Sequence, residues 1–477
     1  MEESAGTAES SSRASRPYDL LIYGATGFTG ELVSRYAVEH ARTAGVRVAV
    51  AGRNHHKLEG LRDKLGAADL PCLVARTEGD ASTELESVVR QARVVINCAG
   101  PFALCGEPVV RACIAAGADY LDVSGEPSYL ARLGIGDDVE RNEIARAARE
   151  AGVLVVPACG YDSVPADLGT LFVLQLLQQR YREHCRAKAG GAAAAVARLF
   201  ASVECYMHFE GGVSLSRGSL EGVSSGTFFT LLESMSHQRE YQAWKRGRAA
   251  QRREMASSSL SSAERPDRSR PRLHWEHSRG IHGVALPFAS SDPLVVLTTR
   301  NTFKGEAEAQ AELTSYAHYL LMDSVGACAR LVYHALSVVA LARLGSWGRS
   351  RLERWKPSGY GPPESVRPSI SSDVHFFGEA LGADPADNTR QVRVHVHCVC
   401  KTCEMYEATA VLVVESALCV LRNRDRLPYT GGTYTCGAAM GALLLPQLQE
   451  LAGTRSPAPV RFEQVEAVVE PIEPSTE

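Results

Sequence analysis

The sequence predicts an α/β fold: a parallel sheet with helices on both faces, followed by a second mixed α/β domain with long insertions. Three observations support this. Short apolar runs alternate with helical stretches from residue 17 to 165, a glycine-rich turn joins the first run to the first helix, and strand-like runs return after residue 290. Repeated strand–helix alternation is typical of parallel sheets.

The predicted strands of the first domain are short apolar runs at 20–23, 46–50, 93–97, 120–122 and 153–156. Segments between them carry helical spacing, at 31–43, 80–92, 108–116 and 139–151. We therefore expect the first domain to span residues 17–165, after a polar flexible tail at 1–16.

The second domain is expected at residues 166–430. Its predicted strands include 294–297, 392–399 and 410–414. Three stretches rich in Ala, Gly, Ser, Arg or Pro predict surface loops or linkers, at 188–195, 247–272 and 356–372.

Composition limits the function classes. The 477 residues are 45% apolar and 22% charged with a net charge of −4, so no basic excess is present to neutralise phosphates of a nucleic acid. Thirteen cysteines without regular spacing favour a reducing compartment over a disulfide framework. The first residues lack the basic start and apolar run of a signal peptide, which predicts an intracellular protein.

The glycine turn reads Gly24-Ala-Thr-Gly-Phe-Thr-Gly30, directly between a strand and a helix. In a dinucleotide-binding Rossmann domain, the first glycine allows a tight turn, Gly27 lets the backbone approach the diphosphate and the last allows close packing of helix and strand. Thr26, Phe28 and Thr29 complete the predicted loop, whose amides and helix N-terminus favour an anion.

The end of the second strand favours NADP(H) over NAD(H). An NAD site places an acidic residue there to bind the ribose hydroxyls, whereas this chain has Arg53 and Asn54, followed by His55-His-Lys57. A guanidinium can bind a 2′-phosphate through two hydrogen bonds. The alternative is a basic helix start that contacts only solvent.

A third predicted contact with the cofactor is the turn Asn97-Cys-Ala-Gly-Pro101, where small residues allow close approach of the backbone. Asn97, Gly100 and Pro101 are the candidate residues. Gly106-Glu-Pro108 is then predicted to open the next helix.

Candidate catalytic residues follow the last strand of the first domain. Tyr161 and Asp162 could position a carbonyl or exchange a proton with it. The favoured alternative is that Asp162 and Ser163 cap a helix that begins near Pro165. The same two interpretations apply to Tyr120, Asp122, Ser124 and Glu126, and Glu126-Pro127 is predicted to open a helix.

Two further patterns are interpreted as coincidental. Tyr241 and Lys245 have the Tyr-x-x-x-Lys spacing of short-chain reductases but lie far from the glycine turn. In His395-Val-His-Cys-Val-Cys400, strand alternation places the histidines and the cysteines on opposite faces, so we predict no metal site.

Residues 324–345 form an apolar segment of nearly membrane-spanning length, but Arg330 and His334 interrupt it. With the basic and aromatic residues that follow up to Trp355, it suits a helix lying on a membrane or lipid-monolayer surface. The alternative is a buried helix of the second domain or of a dimer interface, and a homodimer is one possible assembly.

Taken together, the motifs resemble the saccharopine dehydrogenase-like oxidoreductase family, in its animal-type branch. The resemblance rests on six segments in family order: Gly24–Gly30, Ala51-Gly-Arg53, Asn97–Pro101, Tyr120-Leu-Asp-Val-Ser-Gly-Glu126, Cys159-Gly-Tyr-Asp-Ser-Val-Pro-Ala-Asp-Leu-Gly169 and Gly431-Gly-Thr-Tyr-Thr435. It implies NAD(P)-dependent oxidoreductase activity, and a C-terminal segment, 431–477, that packs back on the Rossmann domain.

The resemblance also implies association with lipid droplets or other membranes, with cytoplasm or mitochondria as alternatives. Related bacterial members resemble enoyl reductases of lipid, including glycolipid, biosynthesis. The expected function is therefore NADP-dependent reduction or oxidation of a carbonyl, imine or enoyl substrate. The alternatives are a lipid-associated protein without turnover and a true saccharopine reductase, which needs converging arginines in its cleft.

Overall fold

Two seven-stranded sheets organise the chain, and helices pack against both. The computed structural model describes residues 15–77, 82–136, 142–188, 199–211, 213–236, 242–243, 246, 271–288, 290–302, 311–357, 359–384, 387–402, 404–455 and 458–472. The predicted tail, the Tyr241 and Lys245 pair, and most of the linkers at 188–195 and 247–272 lie outside these residues.

The first sheet has the order β13-β6-β5-β4-β1-β2-β3, and its paired strands are parallel. The order of its first six strands is that of a doubly wound Rossmann sheet, with β13 added at the edge. The strands are β1 Tyr18–Tyr23, β2 Val48–Gly52, β3 Cys72–Val74, β4 Ala92–Asn97, β5 Asp119–Asp122, β6 Leu154–Val156 and β13 Gly432–Thr433.

Helices cover both faces of this sheet because its strands are apolar on both sides. Leu20 and Ile22 of β1 belong to one core cluster, and Leu21 and Tyr23 to another on the opposite face. The helices of the first domain are α1 Phe28–Ala44, α2 His55–Lys64, α3 Ser82–Val89, α4 Phe102–Ala116, α5 Pro127–Arg132 and α6 Glu143–Glu150.

The second sheet has the order β14-β12-β11-β7-β10-β9-β8, with β7 and β10 parallel and the other paired strands antiparallel. The long helix α7, Val164–Lys188, packs on it, and Gly169 leaves room for the ring of Phe376. The strands are β7 Phe200–Phe209, β8 His274–Glu276, β9 Gly283–Pro287, β10 Glu312–Met322, β11 Ser372–Asp384, β12 Asp387–Thr402 and β14 Val460–Ile472.

The remaining helices are α8 Ser225–Ser236, α9 Asp292–Thr302, α10 Val325–Ala342, α11 Gly345–Trp355, α12 Met405–Asn423 and α13 Cys436–Thr454. Two of them correct the sequence prediction. Residues 294–297 lie in α9 and residues 410–414 lie in α12, so neither is a strand. Both runs are apolar and largely buried, and a short apolar run surrounded by protein does not distinguish a strand from a helix.

A third correction concerns the helix predicted to open at Gly106-Glu-Pro108. Helix α4 begins at Phe102, and Pro108 lies inside it. The amides of Phe102 and Ala103 donate to the two carboxylate oxygens of Glu126, at 2.8 and 2.7 Å. An acceptor from a distant segment therefore starts this helix a turn and a half earlier than the proline predicts.

The C-terminal third of the chain divides between the two sheets. Helix α12 packs on α1 and β4, and β13 pairs with β6, so residues 405–433 belong with the Rossmann domain. Strand β14 pairs with β12 of the second sheet. The C-terminal segment was predicted to begin at residue 431 and to pack on the first domain. Strand β13 does so, but α12 already packs there before residue 431, and β14 belongs to the second sheet.

Helix α10 lies on the surface, contrary to the alternative of a buried helix within the second domain. It is long and apolar enough to cross a membrane by length and composition, but only 11% of it is buried. The exposed fractions of Val325, Tyr333 and Leu336 are 66%, 68% and 63%. On its inner side, Val338 packs with Phe228 of α8 and Leu352 of α11.

Candidate functional site

The carboxyl ends of four parallel strands, β1, β4, β5 and β6, form one edge of the first sheet. Their loops touch. A Cβ added at Gly24 would lie 2.6 Å from the amide nitrogen of Ala99, and one added at Gly125 would lie 2.6 Å from Oδ2 of Asp162. In an open α/β sheet this edge is where ligands bind. The structure thus brings the predicted glycine turn, the Cys98–Pro101 turn and Asp162 to one edge.

The glycine turn has the geometry of an anion cradle. Gly24 has a φ of +76°, a left-handed conformation that favours glycine, and a Cβ at Gly30 would collide with the carbonyl oxygen of Gly24. Helix α1 begins at Phe28, so the amides of its first turn, through Gly30, have no acceptor within the helix. Gly27 has no close neighbour on its Cβ side other than this turn's own carbonyl.

Arg53 lies at the end of β2 with an exposed side chain. Thr26 of the glycine turn is beside it, since its Oγ1 lies 4.0 Å from the position of a Cβ on Gly52. Within the ranges that the structure describes, no carboxylate forms an ion pair with Arg53. Its guanidinium is therefore free to meet an anion next to the glycine turn.

The neighbours of Arg53 have other partners. Asn54 caps α2, where its Oδ1 accepts from the amide of Lys57 at 3.0 Å. His55 and His56 both approach Glu59, at 3.2 and 3.4 Å. Of the basic residues predicted around the 2′-phosphate, Arg53 and the exposed Lys57 form no ion pair with a carboxylate in the described ranges, and Arg53 lies beside Thr26.

The predicted cofactor residues of the β4 loop differ in their placement. Asn97 is fully buried: its Nδ2 donates to the hydroxyl of Tyr120 at 3.0 Å, and its Oδ1 accepts from the amide of Ala99 at 2.9 Å. These hydrogen bonds indicate that Asn97 stabilises the turn and does not contact a ligand itself. Gly100 is exposed and Pro101 half-buried on the edge, where they are accessible to a ligand.

The β5 loop is held by buried carboxylates. Asp122 accepts hydrogen bonds from Ser124, from the amide of Ala158 at 2.8 Å and from the hydroxyl of Tyr120 at 2.9 Å. Burial raises the pKa of Asp122, which these hydrogen bonds oppose. Of the two interpretations given for Tyr120, Asp122, Ser124 and Glu126, these contacts favour the structural one. Glu126 also precedes α5, as predicted, although its carboxylate caps α4.

Tyr161 and Asp162 have different surroundings. Tyr161 is 3% exposed, its hydroxyl forms a hydrogen bond with Ser372, and burial raises its pKa well above the usual value. Asp162 is open to solvent at the sheet edge. Desolvation by the surrounding protein and the nearby carboxylate of Asp292 raise the pKa of Asp162 to about 7. Asp162 is therefore able to hold and release a proton near neutral pH.

The favoured capping interpretation of Asp162 and Ser163 is not what their contacts show. The hydroxyl of Ser163 lies 3.2 Å from that of Ser291 and donates to Oδ1 of Asp292 at 3.4 Å. Among the described residues, none donates a hydrogen bond to the Asp162 carboxylate. Helix α7 begins at Val164, as predicted within a residue.

A buried ion pair behind Asp162 was not predicted. Nε2 of His318 lies 3.0 Å from Oδ2 of Asp292, and both side chains are 1% exposed. Burial disfavours the imidazolium, but Cys205 and Asp292 outweigh it and raise the pKa of His318 to about 10. No sequence signal links these residues, because they come from α9 and β10 and meet only in the folded chain.

The histidine and cysteine pattern on β12 alternates as predicted. His395 and His397 are half-buried on one face, whereas Cys398 and Cys400 are buried with Val394 and Val396 on the other. His397 stacks on Phe377 at a ring distance of 4.3 Å.

Comparison with known proteins agrees with this geometry. Residues 20–156 match the family model of the saccharopine dehydrogenase NADP binding domain. The chain is 29% identical over 440 residues to the lipid droplet localized protein of Caenorhabditis elegans, with 89% of this chain and 94% of the relative covered. It is 28% identical over 448 residues to the human saccharopine dehydrogenase-like oxidoreductase, with 89% and 93% covered.

A solved structure, saccharopine dehydrogenase (L-Glu forming) from Saccharomyces cerevisiae, shares the fold. The TM-score is 0.52 at 12% identity, with 94% of this chain and all of that chain covered. The family match, the relatives and the fold agree. The chain therefore has a saccharopine dehydrogenase NADP binding domain at residues 20–156 and is similar over most of its length to saccharopine dehydrogenase-like oxidoreductases, which supports an NAD(P)-dependent oxidoreductase.

Proposed function

We propose that the protein is an NADPH-dependent reductase of an uncharged carbonyl, imine or enoyl group, with Asp162 as the proton donor. The observation that supports this most is the exposed Asp162 carboxyl at the same sheet edge as the glycine turn, with a pKa of about 7. A general acid works best when its pKa lies near the working pH.

The choice of NADPH over NADH rests on Arg53. It is exposed beside Thr26, without a paired carboxylate in the described ranges. The 2′-phosphate of NADPH carries about two negative charges, and a guanidinium binds such a group through paired hydrogen bonds. The free amides at the start of α1 would hold the diphosphate, and Thr26 would lie between the two anions.

The residues of the chain supply binding, orientation and one proton. When bound, NADPH supplies the hydride. Asp162 would donate its proton to the substrate atom that gains the electron pair: oxygen of a carbonyl, nitrogen of an imine or the α-carbon of an enoyl group. The resulting carboxylate would regain a proton from water, to which Asp162 is open. One hydride and one proton thus complete the reduction.

The cofactor proposal is tested by titrating NADPH and NADH into the wild-type protein and an Arg53→Asp variant. Wild-type protein should bind NADPH more tightly, and the variant should lose about 10-fold or more of that preference, because a charge-assisted pair contributes roughly 1.5–3 kcal/mol. Arg146→Asp, an exposed change on α6, is the matched control. Equal affinity of wild-type protein for both nucleotides would rule out this role of Arg53.

We further propose that α10 and α11 hold the protein on a lipid surface. The outer side of α10 exposes Tyr333 and Leu336, and Trp347 on α11 is 55% exposed beside Arg351, whose guanidinium lies 5.1 Å from the indole. Apolar side chains bordered by aromatic and basic residues suit a monolayer surface. The name of the nematode relative agrees with such a location, and so supports a lipid-related substrate.

The surface proposal is tested by flotation with phosphatidylcholine-coated triolein emulsions. The double variant Tyr333→Glu, Leu336→Glu should lose flotation, since two charges oppose insertion into the lipid boundary. Leu381→Glu, a change at an exposed apolar residue of β11, should float as the wild type does. Undiminished flotation of the double variant would contradict the proposal.

Two alternatives have separate readouts. A protein without turnover would bind NADPH but oxidise none with enone, aldehyde or imine substrates. A saccharopine reductase would oxidise NADPH with an amino-acid imine that carries several carboxylates, and its rate would not depend on the emulsion. Neither outcome would alter the assignment of the cofactor site.

A further inference from the structure

Arg367 is an almost fully buried arginine that the sequence places in a proline-rich loop of the second domain. It opens a short 3-10 turn, Arg367–Ser369, and its side chain is 9% exposed. The segment 356–372 was predicted to be a surface loop, and several of its residues are exposed, but Arg367 is buried, as are Lys356, Pro362, Ile370 and Ser372. A buried guanidinium in an irregular segment needs an explanation, because desolvating a charge costs several kcal/mol unless it is paired.

The partners of Arg367 satisfy it only in part. Nη1 lies 3.5 Å from Oε1 of Glu407, which also pairs with Arg35, and Nη2 lies 3.2 Å from Oε1 of Glu364. Glu364 is 77% exposed, so that pair contributes little. Nε of Arg367 is buried, and it has no hydrogen-bond partner among the residues that the structure describes. The carboxylate of Glu404, also nearby, is occupied by the amides of Tyr406 and Glu407.

The guanidinium faces the cofactor turn of the other domain. Its central carbon lies 5.8 Å from the ring centroid of Phe28, the first residue of α1. The same ring contacts Gly361, where a Cβ would collide with it, and Tyr406, whose centroid is 5.0 Å away. Two parts of the chain beyond the Rossmann strands, the loop at 361–367 and the start of α12, therefore contact the ring of Phe28, at the start of the anion cradle.

We propose that Arg367 is a ligand for the diphosphate of the bound dinucleotide, and supplies a cation beside the start of α1. The proposal rests on the proposed NADPH function. A phosphate oxygen would satisfy the unpaired Nε and use the planar geometry of the guanidinium. The cofactor would then contact both domains, and Arg367 would position it without taking part in the transfer of hydride or proton.

The test compares two ligands that share the 2′-phosphate but not the diphosphate: NADPH and adenosine 2′-monophosphate. Calorimetric titrations would use the full chain as wild type, Arg367→Met, Arg367→Lys and Glu407→Gln. Arg367→Met should weaken NADPH binding about 10- to 100-fold and leave the monophosphate unchanged within about 3-fold. Arg367→Lys should restore part of the loss, because it keeps the charge.

Glu407→Gln is the matched control, since it breaks the same ion pair from the other side and keeps the guanidinium. It should bind NADPH at least as tightly as wild type. Unchanged NADPH affinity in both Arg367 variants would overturn the inference, as would equal loss of both ligands or the same loss in Glu407→Gln. Wild-type protein that fails to bind NADPH is a distinct result, which overturns the proposed function and this inference together.

Discussion

Asp162→Asn should stabilise the protein at alkaline pH. The pKa of Asp162 rises from 3.8 to about 7 on folding, because its surroundings hydrate it poorly and Asp292 is near. Below pH 3.8 the group is protonated in both states and has no effect on stability. Between pH 3.8 and 7 only the unfolded state loses the proton, so the free energy of unfolding falls as the pH rises. Above pH 7 the full penalty remains.

The magnitude follows from the two pKa values. At 1.36 kcal/mol per pKa unit the penalty has an upper limit of about 4 kcal/mol. Since Asp162 is open to solvent, screening keeps the penalty below this limit, at about 3 kcal/mol. Asparagine cannot ionise, so the variant should match wild type at pH 4 and exceed it by this amount at pH 8.

Urea unfolding at pH 4, 6 and 8 measures this difference. Asp63→Asn, at a side chain that is 72% exposed, is the control and should show no such trend. A gain in the Asp162→Asn variant that does not grow with pH would refute the reasoning. The variant should also lose reductase activity by about 100-fold or more if Asp162 is the proton donor.

Three other predictions concern contacts around the site. Glu126→Ala removes the acceptor of the first two α4 amides and should cost about 1–3 kcal/mol in urea unfolding, and an unchanged midpoint would disprove the cap. His318→Gln leaves Asp292 buried and unpaired. This variant should lose about 3–5 kcal/mol in the free energy of unfolding at pH 6. The loss should shrink as the pH rises from 6.5 through 10, because wild-type His318 gives up its proton in that range. A loss that does not change with pH would argue against a charged pair. Gly361→Val displaces the ring that packs on it and should weaken NADPH binding by about 1–3 kcal/mol, whereas Gly60→Val, with open space around it, should not.

The Rossmann half could be predicted from the sequence because its signals are local. Five strands of its sheet, β1, β2, β4, β5 and β6, overlap the predicted runs, whereas β3 and β13 were not predicted. Gly24, Gly27 and Gly30 lie within seven residues between a strand and a helix. Arg53 could be placed in the same way, because it directly follows β2 in the sequence. Such patterns depend only on residues that are adjacent in the sequence.

The errors arose where distant residues decide the outcome. Residues 410–414 are apolar and buried in α12, which lies against α1, and a fully buried helix has no polar face to reveal its period. Helix α4 begins at Phe102 because Glu126 caps it, and no local pattern shows this. Arg367 lies in a proline-rich stretch whose composition suggests a surface loop, so its burial could not be anticipated.

The site beyond the cofactor turn is likewise tertiary. Asp162 was a candidate from its position after β6, but its raised pKa depends on Asp292, 130 residues further on in α9. Asn97 was expected to contact the cofactor, and its sequence context gives no sign that Tyr120 and Ala99 occupy its amide group. The sequence motifs thus predicted which edge of the sheet forms the site. Which side chains are accessible to a ligand there depends on packing between distant residues.

A crystal structure of the wild-type protein with bound NADPH tests the central claim most directly. We expect the diphosphate on the amides from Phe28 to Gly30, the 2′-phosphate on Arg53 and the nicotinamide beside the Asp162 carboxyl. A nicotinamide separated from Asp162 by protein, or a diphosphate away from the start of α1, would contradict the account.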